Sequence, residues 1–430
     1  MAPTSEFRTP NGTRDILPPQ SARWEVLLAR FARTVEAAGY GLLISPMFEH
    51  LEVFQRVGAS TDVVRKEMYQ FTDRGGREMA LRPEGTASVV RAFVQHRPPL
   101  PWKVWYAAPS FRYERAQAGR YRQHHQGGIE VLGTEDPDVD VEVIDLAWAF
   151  FAAIGMRQVT LRLNSLGDAT CRPVYRQILS DFLAARADRL CDEHREHWQD
   201  NPLRVLDCKK PDCVAATTGA PHQVDYLCDA CRDHFERVRE GLAALGVPFS
   251  LDPRLVRGLD YYTRTTFEFA AAALESAQNA VGGGGRYDGL VEEMGGPPTP
   301  GIGFGIGLDR TLLACDAEGV LAASEVGPIL DVYVVDFAGG AAARDITAEL
   351  RAAGLRADRA FDGRSPKSQF KSADRSGARW AVIVGPDEVA AGVVGVKDLR
   401  AGGDTGQDRV EREELVAELR RRLVNASTSL

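Results

Sequence analysis

Apolar residues recur at helical spacing between Ser21 and Gly39, where Trp24, Leu27, Leu28, Phe31 and Val35 share one side and a glycine ends the run. This spacing predicts an amphipathic helix. Residues 40–48 then have a strand-like texture interrupted by Pro46. Proline cannot donate to an inner ladder, so this segment belongs at a sheet margin or a subunit boundary. Residues 104–111 and 129–132 are apolar strands bracketing an arginine-rich stretch, which predicts an antiparallel hairpin with a long loop. From Asp168 to about Val247 the texture turns helical, charged and rich in cysteine and histidine, which predicts an inserted subdomain. Residues 301–307 place glycine at every second position and run into Leu308-Asp-Arg310. Alternation by two bares one face of a strand, either for a flat ligand or for tight packing against another backbone. The dinucleotide spacing G-x-G-x-x-G fails at Leu308. Beyond about Pro328, strand-like runs at 329–335, 378–385 and 393–399 alternate with an alanine-rich helix and a last helix at 411–423. That alternation predicts a separate α/β domain of about 100 residues, with residues 425–430 as a frayed tail.

At 430 residues the chain exceeds the size of one core, so two or three domains are expected. No apolar run approaches the roughly 18 residues of a membrane span, and residues 1–15 lack the apolar centre of a signal peptide. Seven cysteines, an odd number without an export signal, favour reduced thiols and a cytoplasmic home, which makes Asn425-Ala-Ser427 an idle glycosylation match. The net charge of −8 argues against a chain that coats nucleic acid without specificity, yet it leaves room for a local basic site. Arg112, Arg115, Arg120 and Arg122 face one acid, Glu114, with Tyr113 and Tyr121 interleaved. Such a stretch is either a solvated hairpin tip or a surface for phosphate and single-stranded nucleic acid.

Cys208-x4-Cys213 and Cys228-x2-Cys231 have spacings compatible with a four-thiolate zinc site or with simple packing of thiols. Cys191, His194 and His197 are nearby alternatives, Cys171 and Cys315 read as lone small hydrophobes, and no residue is assigned as a metal ligand from the sequence. His124 and His125 lack ligand spacing and read as packing or hydrogen-bonding residues. Arg257-Gly-Leu-Asp-Tyr-Tyr262 gathers a cation, a carboxylate and two phenols, which suits a polar pocket or a solvated loop. Val281-Gly-Gly-Gly-Gly-Arg286-Tyr-Asp-Gly-Leu290 lacks the Lys-Ser/Thr of a Walker loop. Its glycines let a strand bend and a ligand approach, or form a flexible turn.

In this order and at this spacing the last two segments resemble the signature pair of the histidyl-tRNA synthetase family. The resemblance covers nearly the whole chain. Asn11-Gly-Thr-Arg-Asp15 and Pro46-Met-Phe-Glu49 resemble the family's N-terminal segment and the first class II motif at its dimer interface. Leu81-Arg-Pro-Glu-Gly-Thr86 is similar to its amino-acid-binding turn, Phe111 through Gln126 to the second motif, and Gly303 to Arg310 to the third. Gly363-Arg-Ser-Pro-Lys-Ser-Gln-Phe-Lys371 and Ala373-Asp-Arg-Ser-Gly-Ala378 are similar to its anticodon-binding domain.

The resemblance implies an α+β protein: a class II core over residues 1–325, a mostly antiparallel sheet of six to seven strands flanked by helices, with a helical insertion at 168–247. An anticodon-binding α/β domain would follow at 328–430. The implied reaction is ATP-dependent activation of L-histidine and transfer of the histidyl group to the terminal ribose of tRNA(His). Carried over by resemblance, Arg257 and Arg112 are catalytic, with Arg112 on the α-phosphate and Arg257 between that phosphate and the histidine carboxylate. Arg310 takes the triphosphate end, with Glu114 and Arg120 also at ATP. Glu84, Gly85, Thr86 and Gln126 hold the amino-acid end, Glu130 and Tyr262 address the imidazole, and Tyr261 lines the pocket. Arg115 and Gln117 meet the tRNA acceptor end. The resemblance further implies ATP as a substrate with Mg2+, no organic cofactor, and a cytoplasmic homodimer away from membranes. The runner-up is a histidine-sensing regulatory subunit of ATP phosphoribosyltransferase, whose relatives typically lose catalytic motifs and the last domain. A class II synthetase for threonine or proline is a third reading, disfavoured by residues 257–262.

Overall fold

The N-terminal period closes into a helix at Gln20–Glu36 that buries Trp24, Leu27, Phe31 and Val35. The computed structural model describes residues 7–58, 61–258, 261–274, 279–322, 330–401 and 406–427. It divides into two units, one of residues up to 16 together with 24–322, the other of residues 17–23 together with those from 330 onward. The first holds strands β1 (Gly41–Leu42), β2 (Phe48–His50), β3 (Gln70–Thr72), β4 (Glu78–Leu81), β5 (Trp102–Phe111), β6 (Gln123–Leu132), β7 (Val159–Ser165), β8 (Ser250–Leu251), β9 (Thr263–Ala271), β10 (Ala280–Arg286) and β11 (Gly301–Gly307). Eight of them form one sheet in the order β1-β5-β6-β11-β10-β9-β7-β8, and β2-β4-β3 form a second.

All pairs from β5 to β7 across this sheet are antiparallel, while β1 and β8 attach parallel at its margins. The six inner strands match the expected antiparallel core. The two extra strands have two residues each, too short to leave a pattern in the sequence. Pro46 does split its segment: β1 sits at one sheet's edge and β2 at another's. The arginine-rich hairpin pairs in full register from Trp102↔Leu132 to Phe111↔Gln123, so its strands reach well beyond their apolar stretches.

Helices cover this sheet where their apolar stripes demand it. Pro137–Ala153 starts with two signals the sequence carries, an Asp136 cap that accepts from the Asp138 N–H and proline in the first turn. It buries Val143, Ile144, Phe150 and Phe151 in the main core with Phe31, Phe267, Phe269 and Phe304. The same helix holds a polar anchor. Arg286 and Asp140 are both fully buried and paired at 2.6 Å, and Asp140 also meets His234 at 2.8 Å. Breaking a buried pair strands a charge, so Asp140→Ala should destabilise the first unit by about 3–5 kcal/mol. A denaturant-unfolding loss below about 1 kcal/mol would show that the pair is dispensable.

The insertion is helical, as expected, with Arg172–Ala184, Asp192–His197, Leu203–Asp207, Pro211–Ala216 and Asp229–Ala244. The second unit contains β12 (Val332–Asp336), β13 (Ala357–Arg359), β14 (Trp380–Val384), β15 (Val393–Asp398) and β16 (Asp408–Glu411), in the order β13-β12-β14-β15-β16. Its helices include Ala341–Ala352, Pro366–Arg375 and Leu415–Ser427. The last helix runs through Ser427, into the segment expected to fray. Ile329, Leu259 and Asp260, each named from sequence, lie outside the described residues. Among the described residues no helix is long and apolar enough to cross a membrane.

Candidate active site

The glycine alternation of β11 builds the floor of the site. A Cβ added at Gly303 would stand 1.8 Å from the Glu130 carboxylate and 2.3 Å from the Ile129 carbonyl. At Gly305, by contrast, the nearest atoms are Gln126 Nε2 at 3.9 Å and the Tyr106 hydroxyl at 4.0 Å. Both sequence readings of this strand therefore hold, at different glycines: Gly303 packs tightly, and Gly305 leaves a bare face. Next door on β10, Gly283 admits Arg257, whose Nη1 would lie 2.7 Å from an added Cβ.

Over this floor lies a cavity of about 240 Å³, lined by Arg112, Arg120, Arg257 and Arg310 together with Glu114, His124, Gln126, Glu268 and Asp309. Each arginine is held. Arg112 Nε donates to the Pro83 carbonyl at 2.9 Å, and Arg257 Nη1 donates to Glu268 at 3.1 Å. Arg310 donates to the carbonyls of Ala280 at 2.8 Å and Gly119 at 3.3 Å, and burial, with the Arg120 charge, lowers its pKa. Glu114 lies 3.4 Å from Arg120 and 4.0 Å from Arg112. Burial and the Arg112 charge push the His124 ring down to about 3, so it is neutral. His125 packs on Trp24 and its backbone N–H donates to Asp309 at 2.7 Å, the bonding role expected of it.

Beside the cavity sits a buried polar cluster. Glu84 caps the helix Thr86–His96, accepting from the N–H groups of Thr86 at 2.6 Å and Ala87 at 2.8 Å. Burial raises its carboxyl above the ordinary range. Glu130 accepts from the hydroxyls of Thr86 at 2.7 Å and Tyr287 at 2.5 Å, with the Tyr106 hydroxyl at 3.5 Å. Burial pushes its carboxyl up to about 8 against those donors. Tyr261 is buried with its ring 4.6 Å from that of Tyr262, and the Arg257 guanidinium lies 5.9 Å from the Tyr262 ring centre. Gly85 faces the Tyr106 ring, which leaves no room for a side chain there. Arg115 is exposed, and Gln117 forms the turn at the hairpin tip by exchanging backbone bonds with Arg120.

Several partners escaped the sequence reading. Glu268 holds Arg257, and its signal was a lone acid between Phe267 and Phe269 on a strand. Tyr106 and Tyr287 satisfy Glu130. Asp309 ties Arg14, at 2.7 Å, to the strand of His125. A wider cavity of about 900 Å³ shares Arg112, Arg120 and Arg257 and is bounded on the insertion side by Glu193, His194, His197, Arg204 and Cys208. The cysteine pairs do not meet as one set. Cys208 and Cys213 gather with Cys191 and His194, whereas Cys228 and Cys231 gather with Asp168 and Cys171. Cys171 is thus no lone hydrophobe; sequence distance had hidden its neighbours.

An antiparallel sheet with arginines gathered over a glycine-bared strand, in a chain that also carries a second mixed α/β unit, has the fold of a class II aminoacyl-tRNA synthetase. The histidyl-tRNA synthetase family model matches residues 12–311, and an anticodon binding domain model matches residues 331–422. The chain is 50% identical over 418 residues to a histidine–tRNA ligase of Desulforudis audaxviator, covering 96% of this chain and 98% of that one. It is 45% identical over 424 residues to one from Pelotomaculum thermopropionicum, covering 98% and 99%. The apo histidyl-tRNA synthetase structure from S. aureus superposes with a TM-score of 0.80 at 33% identity, covering 96% of this chain and 99% of that one. The chain belongs to the histidyl-tRNA synthetase family, and its activity is the ATP-dependent ligation of histidine to tRNA.

Proposed function

We propose that Arg112, Arg257 and Arg310 carry adenylate formation in the 240 Å³ cavity. The single observation behind this reading is the convergence of four guanidiniums on a strand face that glycine leaves open. In the first step a histidine carboxylate oxygen bonds to the α-phosphorus and pyrophosphate leaves. Two anions must be held together while negative charge grows, and rigid guanidinium forks supply that field. Arg112 and Arg257 grip the α-phosphate and carboxylate, Arg310 and Arg120 the outer phosphates. Mg2+ would accompany ATP there. The carboxylates of Glu114 and Glu268 line the same cavity and are the hard oxygen donors such an ion takes. In the second step a ribose hydroxyl of the tRNA end attacks the acyl carbon and AMP leaves. The 900 Å³ cavity, lined by Arg112 and Arg120 of the same hairpin, suits the acceptor strand, and exposed Arg115 and the Gln117 turn are further candidates to meet it.

Glu84, Gly85, Thr86 and Gln126 would hold the amino-acid end, with Tyr261, Tyr262 and Glu130 around the ring. In support, Gln126 lines the cavity and the Glu130 carboxylate covers Gly303 on the same face of β11 that Gly305 leaves open. The division into a catalytic core at 1–325, with its insertion at 168–247, and an anticodon-reading unit at 328–430 belongs to the same proposal. In the second unit, exposed Phe361 stacks under Arg359 at 4.5 Å beside Arg364, the aromatic and cationic pairing that single-stranded bases favour. A cytoplasmic homodimer fits the exposed apolar run Leu42, Ile44, Met47 and Phe48 at the sheet margins.

Histidine-dependent exchange of pyrophosphate into ATP tests the reading. The wild-type chain should show it, and Glu130→Gln should narrow the preference for histidine over ring-modified analogues by about tenfold or more, because polar ring recognition supplies discrimination on the order of 10⁴. Exchange without histidine dependence would remove the activity, and an unchanged preference would remove Glu130 from the ring contacts.

A further inference from the structure

We infer that Cys191, His194, Cys208 and Cys213 form a structural zinc site in the insertion. One ligand atom from each lies within 4.8 Å of every other. The spacing Cys-x2-His-x13-Cys-x4-Cys combines two short-range pairs across a longer loop, as zinc knuckles do. Tetrahedral zinc with Zn–S of about 2.3 Å and Zn–N of about 2.0 Å sets S···N edges of about 3.6 Å. Here His194 Nδ1 lies 3.3 Å from Cys191 Sγ and 3.7 Å from Cys213 Sγ. The Cys191 backbone N–H also points at Cys213 Sγ at 3.3 Å, the kind of outer support that orients a thiolate.

The surrounding fold calls for such a clip. Asp192–His197, Leu203–Asp207 and Pro211–Ala216 have six, five and six residues, too short to hold helical form alone. They share a small core of Leu190, Trp198, Val205, Leu206 and Ala216 with the longer helix Arg172–Ala184. A core this small gains stability from a metal. Cys191 and His194 open the first short helix, Cys208 ends the second, and Cys213 lies in the third, so one ion cross-links all three. The clip also braces the wall of the 900 Å³ cavity, which His194 and Cys208 line together with Arg257.

The other group, Asp168, Cys171, Cys228 and Cys231, is different. Its carboxylate accepts from the N–H groups of Thr170 at 2.9 Å and Cys171 at 3.4 Å and faces the Arg264 guanidinium at 3.7 Å, so its charge is balanced without a metal ion.

Metal analysis of the full chain, made in zinc-replete cells and purified without chelator, should find about one zinc per chain. Cys208→Ser and His194→Ala should lose it, while His194→Cys and Cys228→Ser keep it. If the loss variants fold poorly, the wild-type chain gives an independent reading. After chelator treatment, Co2+ should bind with the absorption of a thiolate-rich tetrahedral site, and an equimolar addition of Zn2+ should bleach it. Wild-type protein that is purified free of zinc and takes up neither metal would overturn the site, as would a zinc content that Cys208→Ser and His194→Ala leave unchanged.

Discussion

Arg257→Ala is expected to lower histidine-dependent pyrophosphate exchange by about 10²- to 10³-fold, the scale of removing one preorganised donor from a developing anion. The loss should fall mainly on kcat, because the guanidinium is matched to charge that grows in the transition state. Folding should survive. Arg257 is partly exposed, its carboxylate partner Glu268 keeps Arg162 at 3.7 Å, and neither belongs to a hydrophobic cluster. Arg257→Lys is the sharper companion: it keeps the charge and removes the fork, so activity well below wild type would assign the effect to bidentate geometry. A folded alanine variant within about tenfold of wild type would sink the catalytic role.

How far the sequence foretold this site depends on which interactions are local. The helix at Gln20–Glu36 follows from its own period, and its cut by Gly39 is equally local. The alternating glycines of β11 announced an open strand face. They could not say that Glu130 fills the space above Gly303 while Gly305 stays free, because that depends on the register between β6 and β11. Arg257 and Arg310 stood out by their motifs. Glu268, which aims Arg257, comes from a strand whose pairing with β10 the sequence does not display. The cysteines show the same limit from the other side. Proximity in sequence grouped Cys208 and Cys213 with Cys228 and Cys231, but the insertion's short helices fold Cys191 and His194 back onto the first pair, and Cys171 reaches the second.

Ending the chain at residue 322 is expected to spare adenylate formation and to reduce charging of tRNA by about 10²-fold or more, the scale lost when one of two linked binding modules is removed. Each unit has its own core, and the truncated chain keeps residues 17–23, which group with the second unit, as a short segment outside the first unit's core. The first keeps Phe31, Phe150, Phe267 and Phe304 in its main cluster. The second packs Val332, Val334, Val382 and Leu419 in another. The cavity with Arg112, Arg257 and Arg310 lies wholly within the first unit. Pyrophosphate exchange therefore reads the catalytic core alone, whereas tRNA charging reads both. A truncated protein that charges tRNA as well as the full chain would refute an anticodon-reading role for residues 330–427. One that retains its fold but fails in both assays would show instead that the second unit supports the catalytic geometry, and the proposed division of labour would fall with it.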